Sequence, residues 1–260
     1  MEQSLSSVLA RADRAAALPR LGGMARPDGV VIVSERFWAF AGKDGSLREG
    51  AMPSPPEAVN RVPLARGLVR LGLSLSPLFR RAGVAGRREK PLLAAALIAP
   101  FLLFLLPGPL RMPIGLAATL GLAAWMLRGR TLRLHGAEHR AIAAVEERRL
   151  VATWEGSARP SRFSPRCGTN FAALVIPVTV VAERIWPFQA ALWTPAVVTV
   201  LSLALTMELW RAVQESSRRS ARLLLLPGLA LQRATTREPE VDETRVALQA
   251  VASVLQRELV

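Results

Sequence analysis

The chain is short of the residues that staple or decorate many proteins: 260 residues contain one cysteine and two histidines. One cysteine excludes an internal disulfide, and with it the disulfide framework of small secreted domains; a reducing compartment is expected. The first twenty residues, MEQSLSSVLARADRAAALPR, hold no uninterrupted apolar core of signal-peptide length, so targeting is expected through a later, uncleaved apolar span. Acidic residues are scarce as well, 20 against 34 Lys and Arg, which leaves a formal charge of +14. Clustered arginines can neutralise nucleic-acid phosphates, but no RNA- or DNA-binding signature accompanies them, so no nucleic-acid partner is expected.

What is abundant is apolar sequence, gathered in clumps. Residues 91–106 and 112–127 carry no charge and are separated only by Pro107-Gly108-Pro109-Leu110-Arg111. A second pair, Phe171 to Ala182 and Phe188 to Met207, is joined by Glu183-Arg184-Ile185-Trp186-Pro187. Crossing a bilayer takes about 20 helical residues, so the last run is comfortable and the others need their flanks. All but two of the Lys and Arg residues lie outside the two joining turns, in which only Arg111 and Arg184 fall. By the positive-inside rule this places both termini and the central loop in the cytoplasm of a multi-pass inner-membrane protein. Trp125, Trp186 and Trp210 fall near the expected interfaces, as aromatic belts do. The competing reading is a soluble helical protein whose buried helices mimic spans.

The expected fold class is therefore mainly α and polytopic: four transmembrane helices as two hairpins, with a cytoplasmic part that includes a small N-terminal β element and amphipathic helices. Six segments follow: a cytoplasmic region 1–60 with a β-hairpin, an amphipathic helix in 61–90, hairpin 91–127, a cytoplasmic helix and loop 128–170, hairpin 171–210, and a tail 211–260. In the first, Val30-Val31-Ile32-Val33 and Phe37-Trp38-Ala39-Phe40 read as strands with a turn at Lys43-Asp44-Gly45. In the second, leucines 64, 68, 71, 75 and 78 recur at helical spacing, which suits a helix in the headgroup plane or one buried against the cytoplasmic part. In the tail, residues 223–231 are too short to cross and are interrupted by Pro227-Gly228, which suits an interfacial or re-entrant segment. Pro239 can then open a helix with Leu248, Val251, Leu255 and Leu259 on one stripe.

The two histidines are His135 and His139, with Glu138 between them, in a stretch predicted helical over 131–149. Four-residue spacing turns both imidazoles to one face, where they can share a metal ion. The order H-x-x-E-H is that of inverted zinc hydrolases, in which the glutamate is the general base and takes a proton from water. Zinc or another divalent metal is the expected cofactor, and a third ligand is required. Cys167 is the leading candidate, since a thiolate binds zinc well; it reads equally as a small buried residue at a tight turn. Glu146, two turns beyond His139, either reaches the ion or orients a histidine, or is solvated or paired with Arg149. Arg166 beside Cys167 either steadies a thiolate or reaches headgroups, and Arg237-Glu238 either reaches a ligand or forms a helix-start turn.

Three strings, Leu134-His135-Gly136-Ala137-Glu138-His139-Arg140, Pro165-Arg166-Cys167-Gly168-Thr169-Asn170-Phe171 and Leu226 through Pro239, resemble signature blocks of the bacterial YqhQ membrane-protein family. Arg61 through Gly67 resembles a fourth. The resemblance implies a metal-dependent enzyme of undefined activity and no particular substrate. The chain departs from the family pattern at Ser164, where a histidine is typical, and at Gly22-Gly23-Met24, which passes directly into Ala25-Arg26-Pro27 without the family's acidic run.

Two functions compete on these grounds. One is a membrane-embedded zinc-dependent hydrolase at the cytoplasmic face, with His135, His139 and Cys167 as ligands and Glu138 as base. The other is a non-catalytic scaffold or subunit of a larger membrane complex, so whether the chain is an enzyme stays open. A transporter is disfavoured because the apolar segments lack the ionisable residues of a transport path. Membrane lipids are the expected partners, with a protein partner or a second copy of the chain left open.

Overall fold

The computed structural model describes residues 2–79, 83–86, 89–103, 106–126, 130–188, 193–216 and 218–259. Along the chain, helix α1 (Glu2–Arg14) precedes strands β1 (Gly22–Ala25), β2 (Gly29–Val33), β3 (Phe37–Gly42) and β4 (Leu47–Ala51). Short helix α2 (Glu57–Asn60) leads to α3 (Ala65–Ser74), α4 (Ser76–Phe79), α5 (Glu89–Leu102) and α6 (Gly108–Met126). Then follow α7 (Thr131–Glu146), α8 (Leu150–Trp154), α9 (Gly168–Arg184), α10 (Thr194–Glu215), α11 (Arg219–Leu223), α12 (Leu226–Thr235) and α13 (Val241–Glu258). The chain divides into two units: unit 1 is Met1–Ser54, Leu127–Cys167 and Leu229–Val260, and unit 2 is Pro55–Met126 and Gly168–Gly228.

Unit 1 is built on an antiparallel sheet of order β1-β2-β3-β4. Register sets Val30 opposite Ala41 and Ile32 opposite Ala39, so one face alternates branched side chains with alanines. The small alanines leave room for α13, which lies on β2 and β3 with α7 beside it. The buried core joins Val30 and Ile32 to Leu134, Ala137 and Ala141 of α7 and to Leu248, Val251 and Leu255 of α13. The sequence anticipates two of these strands; β1 adds another at the edge, where Gly22-Gly23-Met24-Ala25 has no β-branched signal. The turn at Lys43-Asp44-Gly45 forms as expected, with Gly45 at φ +80°, a conformation only glycine takes cheaply. Helix α13 starts with a capping box in which Glu240 and Glu243 satisfy each other's backbone N–H groups. Asp13 of α1 accepts the Leu150 and Val151 N–H groups and so caps α8.

Unit 2 pairs α9 with α10 and sets α3 against α10. Gly67 of α3 meets Met207 so closely that a Cβ there would lie 2.7 Å from the methionine Cβ. Arg66 forms a forked ion pair with Glu208 of α10. Large apolar side chains line the outside of this unit: Leu92, Leu116, Leu120, Ile176 and Ile185 are all more exposed than half. Large apolar side chains exposed in this number are uncommon on soluble surfaces.

The expectation of four transmembrane helices in two hairpins is overturned. Among the described residues, one helix, α10, is long and apolar enough to cross a membrane. Its 22 residues rise about 33 Å, whereas α5 with 14 residues rises about 21 Å and α9 with 17 about 26 Å, against a hydrocarbon core of about 30 Å. Helix α6 has 19 residues but carries Arg111 and Pro113 in its first turns. Apolar run length misled because runs and helices do not coincide: the first run is read to residue 106, yet its helix ends at Leu102. Residues 104–105, 127 and 189–192 of the expected spans lie outside the described residues. Pro227-Gly228 does not interrupt its segment either. Pro227 sits in the first turn of α12, where its missing N–H costs nothing, and the helix runs on to Thr235.

Candidate metal centre

Helix α7 presents His135 and His139 one turn apart, with ring centroids 4.5 Å from each other. The loop after α8 returns to bring Cys167 beside them. One ligand atom from each of these three residues lies within 4.8 Å of the other two. Glu138 is not in that group, although it stands next to His139 in sequence.

Hydrogen bonds fix the chemistry of each ring. His135 Nδ1 is 2.8 Å from the Thr235 carbonyl and His139 Nδ1 is 2.7 Å from the Arg162 carbonyl. A carbonyl can only accept, so both Nδ1 atoms carry the proton and both Nε2 atoms keep a lone pair. His135 Nε2 lies 3.3 Å from the Cys167 Sγ, which places the thiol as donor to it. His139 Nε2 is buried and finds no hydrogen-bond partner among the described residues. Burial holds the pKa of His135 below its ordinary value, and burial together with the neighbouring His135 holds His139 down to about 4. Both rings are neutral at neutral pH, the form that ligates metal.

These donors fit a small divalent cation. Tetrahedral zinc with His and Cys ligands separates its donor atoms by roughly 3.3–3.6 Å. The Nε2–Sγ pair stands at that separation, and the widest pair within 4.8 Å is about an ångström over it. Each histidine already donates its second nitrogen to a backbone carbonyl, the outer support that metal-binding imidazoles use. Three protein donors leave one position of a tetrahedron open.

The supporting contacts come from residues that spacing does not mark. Gln232 of α12, fully buried, donates to the Ser164 carbonyl at 2.7 Å and accepts the Ser164 N–H at 2.8 Å, which clamps the loop three residues before Cys167. Thr236 and Arg237 cross α7 so closely that a Cβ on Gly136 would fall 2.2 Å from the Arg237 carbonyl. The Arg237 N–H donates to the Leu132 carbonyl and closes that crossing. Arg140 donates to the Pro160 carbonyl and to Glu238, and Arg162 donates to the Thr236 carbonyl. Glu238 therefore braces the segments that carry the Thr235 and Arg162 carbonyls. Glu146 pairs with Arg166 rather than with Arg149, which lies nearer Glu147, and it is not in the three-donor group.

Glu138 points to the sheet. It is 5% exposed, and a Cβ on Gly23 of β1 would lie 2.9 Å from its Oε1. Burial pushes its carboxyl up to about 8, partly offset by the Ala25 N–H that it accepts. At neutral pH the group is mostly protonated.

The family described as "Protein of unknown function (DUF1385)" matches residues 89–257, which include both histidines, Cys167 and Gln232. "Uncharacterized protein YqhQ" of Bacillus subtilis (strain 168) is 29% identical over 134 residues, covering 50% of this chain and 42% of that protein. The match thus spans less than half the length of that relative. No solved structure matches. Because the family match takes in well over half of the sequence and every donor of the cluster, the chain belongs to the DUF1385 family, the YqhQ-like proteins.

Proposed function

We propose that His135, His139 and Cys167 hold one divalent cation, zinc by their donor chemistry, in a membrane-associated protein, and that the centre serves hydrolysis of a substrate at the cytoplasmic membrane face. The observation that carries the reading is the buried Nε2 of His139, without a hydrogen-bond partner among the described residues, on a ring that offers one nitrogen within 4.8 Å of a second imidazole nitrogen and a thiol. A buried acceptor left without a partner costs about 1–3 kcal/mol, and a cation removes that cost. Bound there, zinc supplies Lewis-acid polarisation and activation of water. The chain's own work is to hold the ligands: the Thr235 and Arg162 carbonyls set the imidazole tautomers, and Gln232 sets the loop before Cys167. The exposed apolar side chains of unit 2 and the length of α10 support membrane association.

A second reading, a metal-holding scaffold without catalysis, is favoured by one observation. Glu138 is turned against Gly23 and Ala25 and retains its proton at neutral pH, so it is not poised as a base. Metal analysis with a hydrolysis panel of ester, peptide and phospholipid substrates separates the readings. About one zinc per chain, with hydrolysis that disappears in His139→Ala, supports the enzyme. Zinc retained without turnover of any substrate supports the scaffold, and a metal-free chain that takes up no zinc refutes both.

A further inference from the structure

Unit 2 contains a groove of 320 Å³ lined by Leu174, Val178 and Ile185 on the α9 side, by Leu205 and Leu209 of α10, and by Leu224. Every residue that lines it is apolar. Its α9 positions recur at helical spacing, so the groove follows the helix axis. From residue 174 to residue 185 the rise is about 17 Å, close to half of a hydrocarbon core of about 30 Å. That length is the depth of one leaflet.

Charge beside one lining residue names the occupant. Leu224 caps α11, and the exposed Arg222 lies two residues before it, with exposed Arg218 one further turn back. No Asp or Glu occurs in the sequence between Glu215 and Glu238. Two exposed arginines thus lie within six residues of a leucine that lines a wholly apolar groove, in a segment without acidic residues. We propose that it is a binding site for one anionic phospholipid, with an acyl chain along α9 and α10 and the phosphate at Arg218 and Arg222. Guanidinium groups bind phosphate through paired N–H donors, and basic residues at a membrane surface favour anionic lipids. A second copy of the chain is a poorer occupant, because it would bring the same arginines to the same edge. The site does not depend on the metal centre; it rests on the membrane association proposed above.

The test uses the full chain purified in a neutral detergent, offered phosphatidylglycerol and phosphatidylcholine with identical acyl chains, and read by native mass spectrometry. One phosphatidylglycerol should be retained in preference to phosphatidylcholine. The double variant Arg218→Gln, Arg222→Gln should lose that preference by roughly fivefold per arginine. Val178→Trp should lower retention of both lipids, and Ala182→Phe provides a second obstruction if the first variant misfolds by circular dichroism. Glycerol phosphate, a headgroup without chains, should not compete. Equal retention of the two lipids by the wild type, retention unchanged by either groove variant, or displacement by glycerol phosphate would overturn the site. So would a lipid-free dimer that Val178→Trp dissociates. A chain that sediments with no vesicles of any composition refutes membrane association itself, a separate outcome from binding all vesicles equally.

Discussion

Replacing Glu138 by glutamine should remove a fall in the stability of the metal-free chain between pH 6.5 and 8. The carboxyl is buried against Gly23 and Ala25, and that burial raises it from 4.5 to about 8. A group with a raised folded pKa stays protonated in the fold after the unfolded chain has released its proton. Its stabilisation is complete below pH 4.5 and is lost as pH rises toward 8. The histidines act in the opposite sense: their folded values are depressed from 6.5, so the fold gains as pH rises through 6.5. The unfolded imidazole is still half protonated at pH 6.5, so each ring adds a further ~0.4 kcal/mol by pH 8, and the carboxyl is read as the difference between the wild type and Glu138→Gln. One pH unit corresponds to about 1.4 kcal/mol, so the wild type should lose about 2 kcal/mol relative to the variant across this window. In a chain of this size that is a relative fall in Tm on the order of 5 °C. Thermal unfolding of both proteins in chelator at pH 6.5 and pH 8 reads it. The Glu138→Gln side chain keeps an acceptor for the Ala25 N–H and has no charge to bury, so the melting temperature of that variant should not fall. A wild type that loses no stability relative to the variant between the two pH values refutes the assignment.

Three further outcomes follow from particular contacts. Gln232→Ala removes one hydrogen bond from the Ser164 N–H and one from its carbonyl, so it should cost about 1–2 kcal/mol in chemical denaturation and weaken zinc binding in equilibrium dialysis, while Gln232→Glu should restore only the contact to the N–H. Gly136→Ala drives a methyl into the Arg237 carbonyl and should destabilise by roughly 1–3 kcal/mol, whereas Gly72→Ala in α3 meets no atom within 4 Å and should stabilise by about 0.5–1 kcal/mol; equal effects would contradict the close crossing of α7. Arg140→Met removes donors to Pro160 and Glu238 and should lower Tm by a few degrees, on the order of 1–2 kcal/mol, because Glu238 is itself largely solvated.

The parts of the site that a sequence can display are those with a period. Two histidines four apart on a helix must share a face, and Cys167 is the one thiol available to join them. Backbone acceptors have no such signature. The Thr235 and Arg162 carbonyls, which set the tautomers, could be any residues, and Gln232 lies 68 positions from the Ser164 it clamps. Glu138 shows a limit of another kind. Its spacing permits it to lean toward either edge of the histidine face, and only the absence of a side chain at Gly23 decides in favour of the sheet. In the fold, β2 and β3 announce themselves through Val30-Val31-Ile32 and Phe37-Trp38, whereas β1 is held by pairing with β2 rather than by its own glycine-rich residues. Apolar clustering was legible, but where α5, α6 and α9 begin and end depends on prolines and packing that run length does not encode.

Cobalt substitution tests the three-donor centre most directly, because a thiolate bound to Co2+ gives a charge-transfer band and tetrahedral coordination gives intense visible absorption. The wild type should show both, Cys167→Ser should lose the charge-transfer band while keeping weaker visible absorption, and the His135→Ala, His139→Ala variant should lose both. Identical spectra for the wild type and the double variant, or no cobalt spectrum in a folded wild type, would contradict the convergence of His135, His139 and Cys167 on one cation.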